Sequence, residues 1–305
     1  MRPLDAAPGD EAECRIKGKV LKGSTEYTNP IAPGDIVMVE LDPLHPKTGL
    51  ILEVVERRNQ FTRIKERTAK PQVLAANVDQ IFCVCTPASP PWRPRFLDRL
   101  LIQAEIAEIP AVILCNKWDL APNKREMEEQ LDLYRSLEYP VLLVSALDGY
   151  GMDRLRECCA GKLSVLTGQS GVGKSSLINA LLPGSALSVG RINEKYNRGT
   201  HTTTVATLFE DLGIRDAGIR DAGIRIIDTP GLRRFIPEGI SGEELIYYMR
   251  EFAPLAGTCS YGLSCSHRSE RGCAVRDAVE AGRIHADRYE SFLRIYDALQ
   301  GKSDE

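Results

Sequence analysis

One octapeptide constrains this chain more than anything else in it: Gly168-Gln169-Ser170-Gly171-Val172-Gly173-Lys174-Ser175, which fits G-x4-G-K-[ST]. It follows the apolar run LSVLT at 163–167 and precedes a helical stretch at 176–182 that opens with Ser176, the strand–loop–helix setting in which such a loop works. Glycines let successive backbone N–H groups turn onto phosphate, and the helix N-terminus adds a favourable dipole. Lys174 supplies a point charge for the β- and γ-phosphates, and the Ser175 hydroxyl a ligand for Mg²⁺. The neighbouring sequence agrees with such a unit. Apolar runs at 80–86, 111–115 and 141–144 alternate with helical stretches at 95–108 and 124–137. Buried strands alternating with amphipathic helices predict a parallel α/β sheet covered on both faces.

The base is indicated separately. Asn116-Lys117-Trp118-Asp119 follows an apolar run, at the carboxyl end of an expected strand, where ligands bind in open α/β sheets. This is the N-K-x-D pattern of GTPases. The Asp119 carboxylate accepts from guanine N1 and the 2-amino group; adenine lacks that donor pair and leaves the carboxylate unsatisfied, a cost well over ~1 kcal/mol. Ser145-Ala146, after the run at 141–144, resembles the third guanine-contacting loop.

Asp228-Thr229-Pro230-Gly231 closes the apolar run at 224–227 and matches D-x-x-G. Asp228 is expected to hold Mg²⁺ through water, and the Gly231 N–H to face the γ-phosphate. Gly199-Thr200-His201-Thr202-Thr203-Thr204 reads as the first switch, with Thr203 completing the Mg²⁺ shell. The order of these motifs is permuted: N-K-x-D, Ser-Ala, phosphate loop, threonines, D-x-x-G, where ordinary GTPases begin with the phosphate loop. The chain therefore leaves the nucleotide unit directly after the second switch, so hydrolysis is expected to reposition the C-terminal segment. Leu232 stands where Ras-like enzymes carry a water-orienting Gln, and leucine cannot hydrogen-bond water. Slow unstimulated hydrolysis is expected, with His201 the nearest candidate to orient the water; its plainer reading is a solvated loop side chain.

The 305 residues, 43% hydrophobic, suffice for more than one core. Three segments are expected: 1–75, with short alternating strands and turn signals suggesting a five-stranded barrel of the OB type; 76–236, the nucleotide unit; and 237–305, α-rich. In the last, Cys259-x5-Cys265-x-His267-x5-Cys273 offers three Cys and one His, a set that closes a tetrahedral structural Zn²⁺ site. Cys83, Cys85 and Cys115 read as strand packing. No apolar run approaches the ~20 residues of a membrane helix, so a soluble, cytoplasmic chain without a membrane partner is expected. A net charge of −3 offers no support for nucleic acid, yet it averages over two basic clusters, Arg15/Lys17/Lys19/Lys22 and Arg57/Arg58/Arg63/Lys65/Arg67/Lys70. These suit phosphate contacts or are ordinary solvated strand faces. The tandem unit GIRDA-GIRDA-GIR at 213–225 reads as an expanded connection between two strands. An RNA-contacting tongue carrying Arg215, Arg220 and Arg225 is the sharper alternative, its charge offset by Asp216 and Asp221.

On these residues the chain resembles the ribosome small-subunit-dependent GTPase A family (RsgA). The likeness runs through CRIKGKV, Pro33-Gly34-Asp35, NVDQ at 77–80, NKWD, GQSGVGKSSL, HTTT, DTPG and the Cys/His cluster. It implies an N-terminal OB barrel that binds rRNA, a circularly permuted GTPase domain and a C-terminal zinc domain. It also implies GTP hydrolysis stimulated by the small ribosomal subunit, as a late assembly checkpoint, by a monomer using GTP, Mg²⁺ and one Zn²⁺. The family's cluster runs Cys-x4-Cys-x-His-x5-Cys, and this chain carries one more residue between Cys259 and Cys265. The competing function is a GTP-sensing RNA-binding assembly chaperone, whose affinity rather than turnover is the output.

Overall fold

The apolar runs of the middle segment become strands of one six-stranded sheet. The computed structural model describes residues 1, 11–16, 27–65, 70–183, 206–211, 223–232 and 234–301. The sheet takes β6 (Gln80–Cys85), β7 (Ala111–Cys115), β8 (Val141–Leu143), β9 (Leu163–Gly168), β10 (Thr207–Asp211) and β11 (Ile224–Asp228) in the order β10-β11-β9-β6-β7-β8. All neighbours are parallel except the edge pair β10 and β11. The GIRDA repeat thus joins two antiparallel strands, as an expanded connection would; residues 212–222 lie outside the described residues.

Burial on both faces follows from the uninterrupted apolar composition of β7, and β9 is likewise buried at every position although it carries Ser164 and Thr167. On one face Cys83 and Cys115 pack with α1 (Pro94–Ile106) and α2 (Lys124–Ser136) through Leu97, Leu100, Leu131 and Tyr134. On the other, Phe82, Val84 and Leu114 pack with α3 (Met152–Cys159) and α4 (Lys174–Leu181). The cysteines of β6 and β7 are core residues, as their strand positions suggested.

Ahead of the sheet lie β1 (Glu13–Ile16), β2 (Val37–Leu41) and β3 (Thr48–Val54), paired in the order β1-β3-β2, and the ribbon of β4 (Gln60–Lys65) and β5 (Lys70–Ala76). Among the described residues these five strands form two sheets rather than one closed barrel; residues 17–26 and 66–69 lie outside the description. The turn Pro33-Gly34-Asp35 seats on the end of β5. A Cβ on Gly34 would stand 2.0 Å from the Ala76 carbonyl oxygen, and its φ of +92° lies in the left-handed region, so only glycine fits. Arg57 closes this joint with a two-pronged bond to Asp35, Nε to Oδ1 at 2.7 Å and Nη2 to Oδ2 at 2.9 Å.

After β11 the chain crosses α1. Arg99 Nη1 donates to the Phe235 carbonyl (2.9 Å), the Glu238 N–H donates to Gln103 Oε1 (2.8 Å), and Phe235 stacks on Phe61 of β4 with ring centroids 6.2 Å apart. The C-terminal segment adds short 3-10 turns, α5 (Ala274–Glu280) and α6 (Ala286–Leu299) around Phe252 and Phe292. It is docked by a buried ion cluster. Arg288 of α6 reaches Asp98 of α1 and Glu251, while Tyr134 of α2 donates to Asp98 at 2.8 Å. Beside it, Arg250 bonds Glu105 (2.8 Å) and lies 3.9 Å over the Tyr139 ring. Among the described residues no helix is long and apolar enough to cross a membrane.

Candidate functional site

β9 delivers the phosphate loop to the carboxyl edge of the sheet, beside β6. Close approach dictates its first glycine, since a Cβ on Gly168 would sit 2.4 Å from the Val84 carbonyl oxygen. Gly171 (φ +84°) and Gly173 (φ +91°) take left-handed conformations that turn the backbone into α4. Ser170, Gly171, Gly173, Lys174, Ser175 and Ser176 line a cavity of about 320 Å³ together with Lys117, Asp228, Thr229 and Gly231. The sequence-selected loop and both D-x-x-G termini thus share one cavity, whereas Gln169 and Val172 frame the loop. Val172 is buried in the α4-side core, and Gln169 forms a bridge with Leu232.

Lys174 and Asp228 bring opposite charges to the cavity. Burial lowers the Lys174 pKa, with Asp228 opposing the shift; Nζ donates to the carbonyls of Gly168 (3.3 Å) and Gln169 (3.4 Å). Burial pushes the Asp228 carboxyl up to about 6, against the pull of Lys174. Asp228 Oδ1 is buried without a hydrogen-bond partner. An orphaned carboxylate oxygen in the same cavity as the Ser175 hydroxyl is the hard-oxygen donor set that suits a divalent cation such as Mg²⁺. The other switch residues chosen from sequence, Thr200 to Thr204 with His201 and Thr203, lie outside the described residues.

The base motif is physically tied to this loop. Asn116 is buried at the end of β7; its Nδ2 donates to the Val172 carbonyl (2.9 Å), and its Oδ1 accepts from the Ala146 N–H (3.3 Å). Gly173 must lack a side chain for this, because a Cβ there would meet Asn116 Nδ2 at 2.5 Å. Lys117 (φ +60°) spans to the carbonyls of Gly171 (2.7 Å) and Ser89 (2.6 Å). The Ser145 hydroxyl donates to Asp119 Oδ1 at 2.7 Å and so orients the carboxylate expected to read guanine. Ser89 and the Asn116–Val172 tie carry no sequence signature of their own.

The four Cys/His residues also converge. Cys259, Cys265, His267 and Cys273 are all buried, with ligand atoms within 4.8 Å of one another. Cys259 Sγ and Cys273 Sγ lie 3.5 Å from His267 Nδ1 and 3.9 Å from each other. A tetrahedron with Zn–S of about 2.3 Å and Zn–N of about 2.0–2.1 Å has edges of about 3.5 Å (S to N) and about 3.8 Å (S to S). The three spacings among Cys259, His267 and Cys273 fit it. A 3-10 turn at Gly262–Ser264 lies between Cys259 and Cys265. Glu270 holds the loop around His267, accepting from the N–H groups of Ser266 (2.8 Å), Arg268 (2.9 Å) and Ser269 (3.0 Å). The hydrogen bond from the Ser266 hydroxyl is the largest cause of its carboxyl falling to about 2.

Residues 54–236 match the family model described as RsgA GTPase. The chain belongs to the RsgA GTPase family. It is 39% identical to the Small ribosomal subunit biogenesis GTPase RsgA of Chlorobaculum parvum, over 97% of this chain and 94% of that one. Among solved structures, YjeQ from Thermotoga maritima is 32% identical with a TM-score of 0.70, covering 95% of this chain and 90% of that one. YloQ, described as a circularly permuted GTPase, is 27% identical with a TM-score of 0.65, covering 96% and 88%.

Within this RsgA-type chain the D-x-x-G exit is pinned. The Thr229 hydroxyl donates to the Leu166 carbonyl (2.9 Å), and the Leu232 N–H donates to that of Gly168 (3.1 Å). The Leu232 side chain is buried in the α1-side core, 3% exposed, and is not among the residues lining the cavity. Three arginines of the second basic cluster are engaged within the fold. Arg57 is committed to Asp35, Arg58 pairs with Asp79, and Arg63 bonds Gln72. Lys17, Lys19, Lys22 and Arg67 lie outside the described residues. The acids that claim Arg57 and Arg58 come from distant turns, which a count of local charge does not register.

Proposed function

We propose that this chain hydrolyses GTP to GDP and phosphate on the small ribosomal subunit, in a late step of that subunit's maturation. The observation that carries the reading is the Asn116 side chain, which ties the base loop to the phosphate loop and to the 145–146 loop, with Lys117 of the base motif lining the same cavity as the phosphate loop. The partner rests on the relative named for small-subunit biogenesis. In this reading Asp119 accepts from guanine, the amides of 169–173 and Lys174 hold the phosphates, and Ser175, Asp228 and Thr203 hold Mg²⁺. That ion, when bound, neutralises charge between the β- and γ-phosphates. Residues 1–75 contact rRNA as an OB-type unit whose strands pair as two sheets among the described residues, 76–236 form the permuted GTPase domain and 237–305 the zinc domain. Arg57 is left out of the phosphate contacts. Nucleotide state acts through Pro230–Gly231, the stretch between the pinned residues Thr229 and Leu232, and from there toward release.

The deciding experiment measures GTP turnover alone, with purified small subunits and with tRNA. Large stimulation by small subunits supports the reading; subunit binding without stimulation favours the assembly chaperone. His201→Ala is expected to lower stimulated turnover while leaving GTP affinity intact, and unchanged turnover would remove His201 from the chemistry.

Cys259, Cys265, His267 and Cys273 hold one structural Zn²⁺, with every coordination position taken by protein. Glu270→Ala is expected to weaken zinc binding by about 10–100-fold, because it frees the loop that aims His267. Chelator competition reads this directly, and an unchanged affinity counts against the role given to Glu270.

A further inference from the structure

We infer that the Ser170 hydroxyl positions the water that attacks GTP, an inference that rests on the GTP-hydrolase reading above. Ser170 lines the nucleotide cavity with Lys174, Ser175, Asp228 and Gly231, while Lys117 marks the end nearest the base motif. Its position along the phosphates is given by Gly231. The nearest atoms to a Cβ built on that glycine are Ser170 Cα at 2.9 Å and Ser170 Cβ at 3.2 Å, so the two backbones are in direct contact. In the hydrolase reading above the Gly231 N–H faces the γ-phosphate, which puts Ser170 at that same end.

The side chain after Gly231 leaves this place open. Leu232 is turned into the core, held by its N–H on the Gly168 carbonyl and by its bridge to Gln169. Ser170 is exposed, and among the described residues its hydroxyl makes no hydrogen bond. A serine hydroxyl carries one donor and two acceptor lone pairs. It accepts from one hydrogen of the water and donates to a γ-phosphate oxygen, which holds the water oxygen in line with phosphorus. In the reaction the water O–P bond forms and the bond from the γ-phosphorus to the bridging oxygen breaks. That electron pair stays on GDP, and the proton released by the water ends on an oxygen of the free phosphate. Ser170 gains and loses no proton; it orients.

The test is single-turnover hydrolysis of GTP by the full chain with saturating small subunits, for the parent, S170A and S170G, alongside GTP affinity. Both variants remove the hydroxyl, and S170G also removes the Cβ that packs on Gly231, so loss of contact and loss of hydrogen bond are separated. The expected result is a rate about 100-fold lower in both, with GTP affinity within twofold of the parent. S170A or S170G within threefold of the parent rate, or a loss matched by weakened GTP binding, overturns the inference. A parent that shows no turnover with subunits overturns the hydrolase reading and this inference with it. A fast parent beside an equally fast S170A overturns this inference alone.

Discussion

Arg288→Ala is expected to lower the unfolding free energy by about 3–5 kcal/mol. The guanidinium is 2% exposed and bonds Glu251 through Nε at 2.5 Å and Nη2 at 3.2 Å, with Nη1 on Asp98. Burial alone would depress its pKa; the charges of Asp98 and Glu251 outweigh that and hold it above its ordinary value. Taking the arginine away leaves two carboxylates buried against α1 and α6, with only the Tyr134 hydroxyl, among the described residues, to offset Asp98. Urea unfolding followed by a probe on α6 measures the effect. A loss under 1 kcal/mol would mean that water reaches the cluster and that the two segments are joined mainly by their apolar contacts. Arg288→Lys keeps the charge without the fork and is expected to fall between the two.

The second large effect is on nucleotide choice. Asp119→Asn is expected to weaken GTP binding by about 10⁴-fold while leaving the fold in place. Ser145 donates to Asp119 Oδ1, so the carboxylate is already oriented. An asparagine amide in its place presents a donor where guanine also donates. Xanthine carries a carbonyl where guanine has its 2-amino group, so xanthosine triphosphate is expected to bind the variant better than GTP does. Titration with fluorescent analogues of both nucleotides reads the exchange. A variant that still prefers GTP would take Asp119 out of base recognition.

The parts of this molecule that were legible in sequence are those whose physics is local. A phosphate loop needs its glycines, lysine and serine consecutively, so residues 168–175 announced both the strand before them and the helix after. Asn116 to Asp119 were legible for the same reason. What local sequence did not carry was pairing across distance. Asp98 and Arg288 stand 190 residues apart, and neither looks unusual among its neighbours. Arg57 and Arg58 looked like a basic patch because Asp35 and Asp79, which neutralise them, arrive from other turns. The β1–β3–β2 sheet was anticipated as short alternating strands, but the five-stranded closure suggested by their number is not present among the described residues. Strand count constrains architecture less than pairing does, and pairing is non-local.

The Asp98–Arg288 joint also imposes a schedule on folding during synthesis. Chains fold from the N-terminal end as they are made, and the helix bearing Asp98 is complete long before Arg288 exists. Until then, drying Asp98 would strand a charge at a cost of several kcal/mol, so this side of α1 stays hydrated. The nucleotide-binding half can close its sheet early, yet it reaches final form only when α6 arrives. A nascent chain stalled before Arg288 therefore keeps a wet flank on α1, which α6 covers when it arrives.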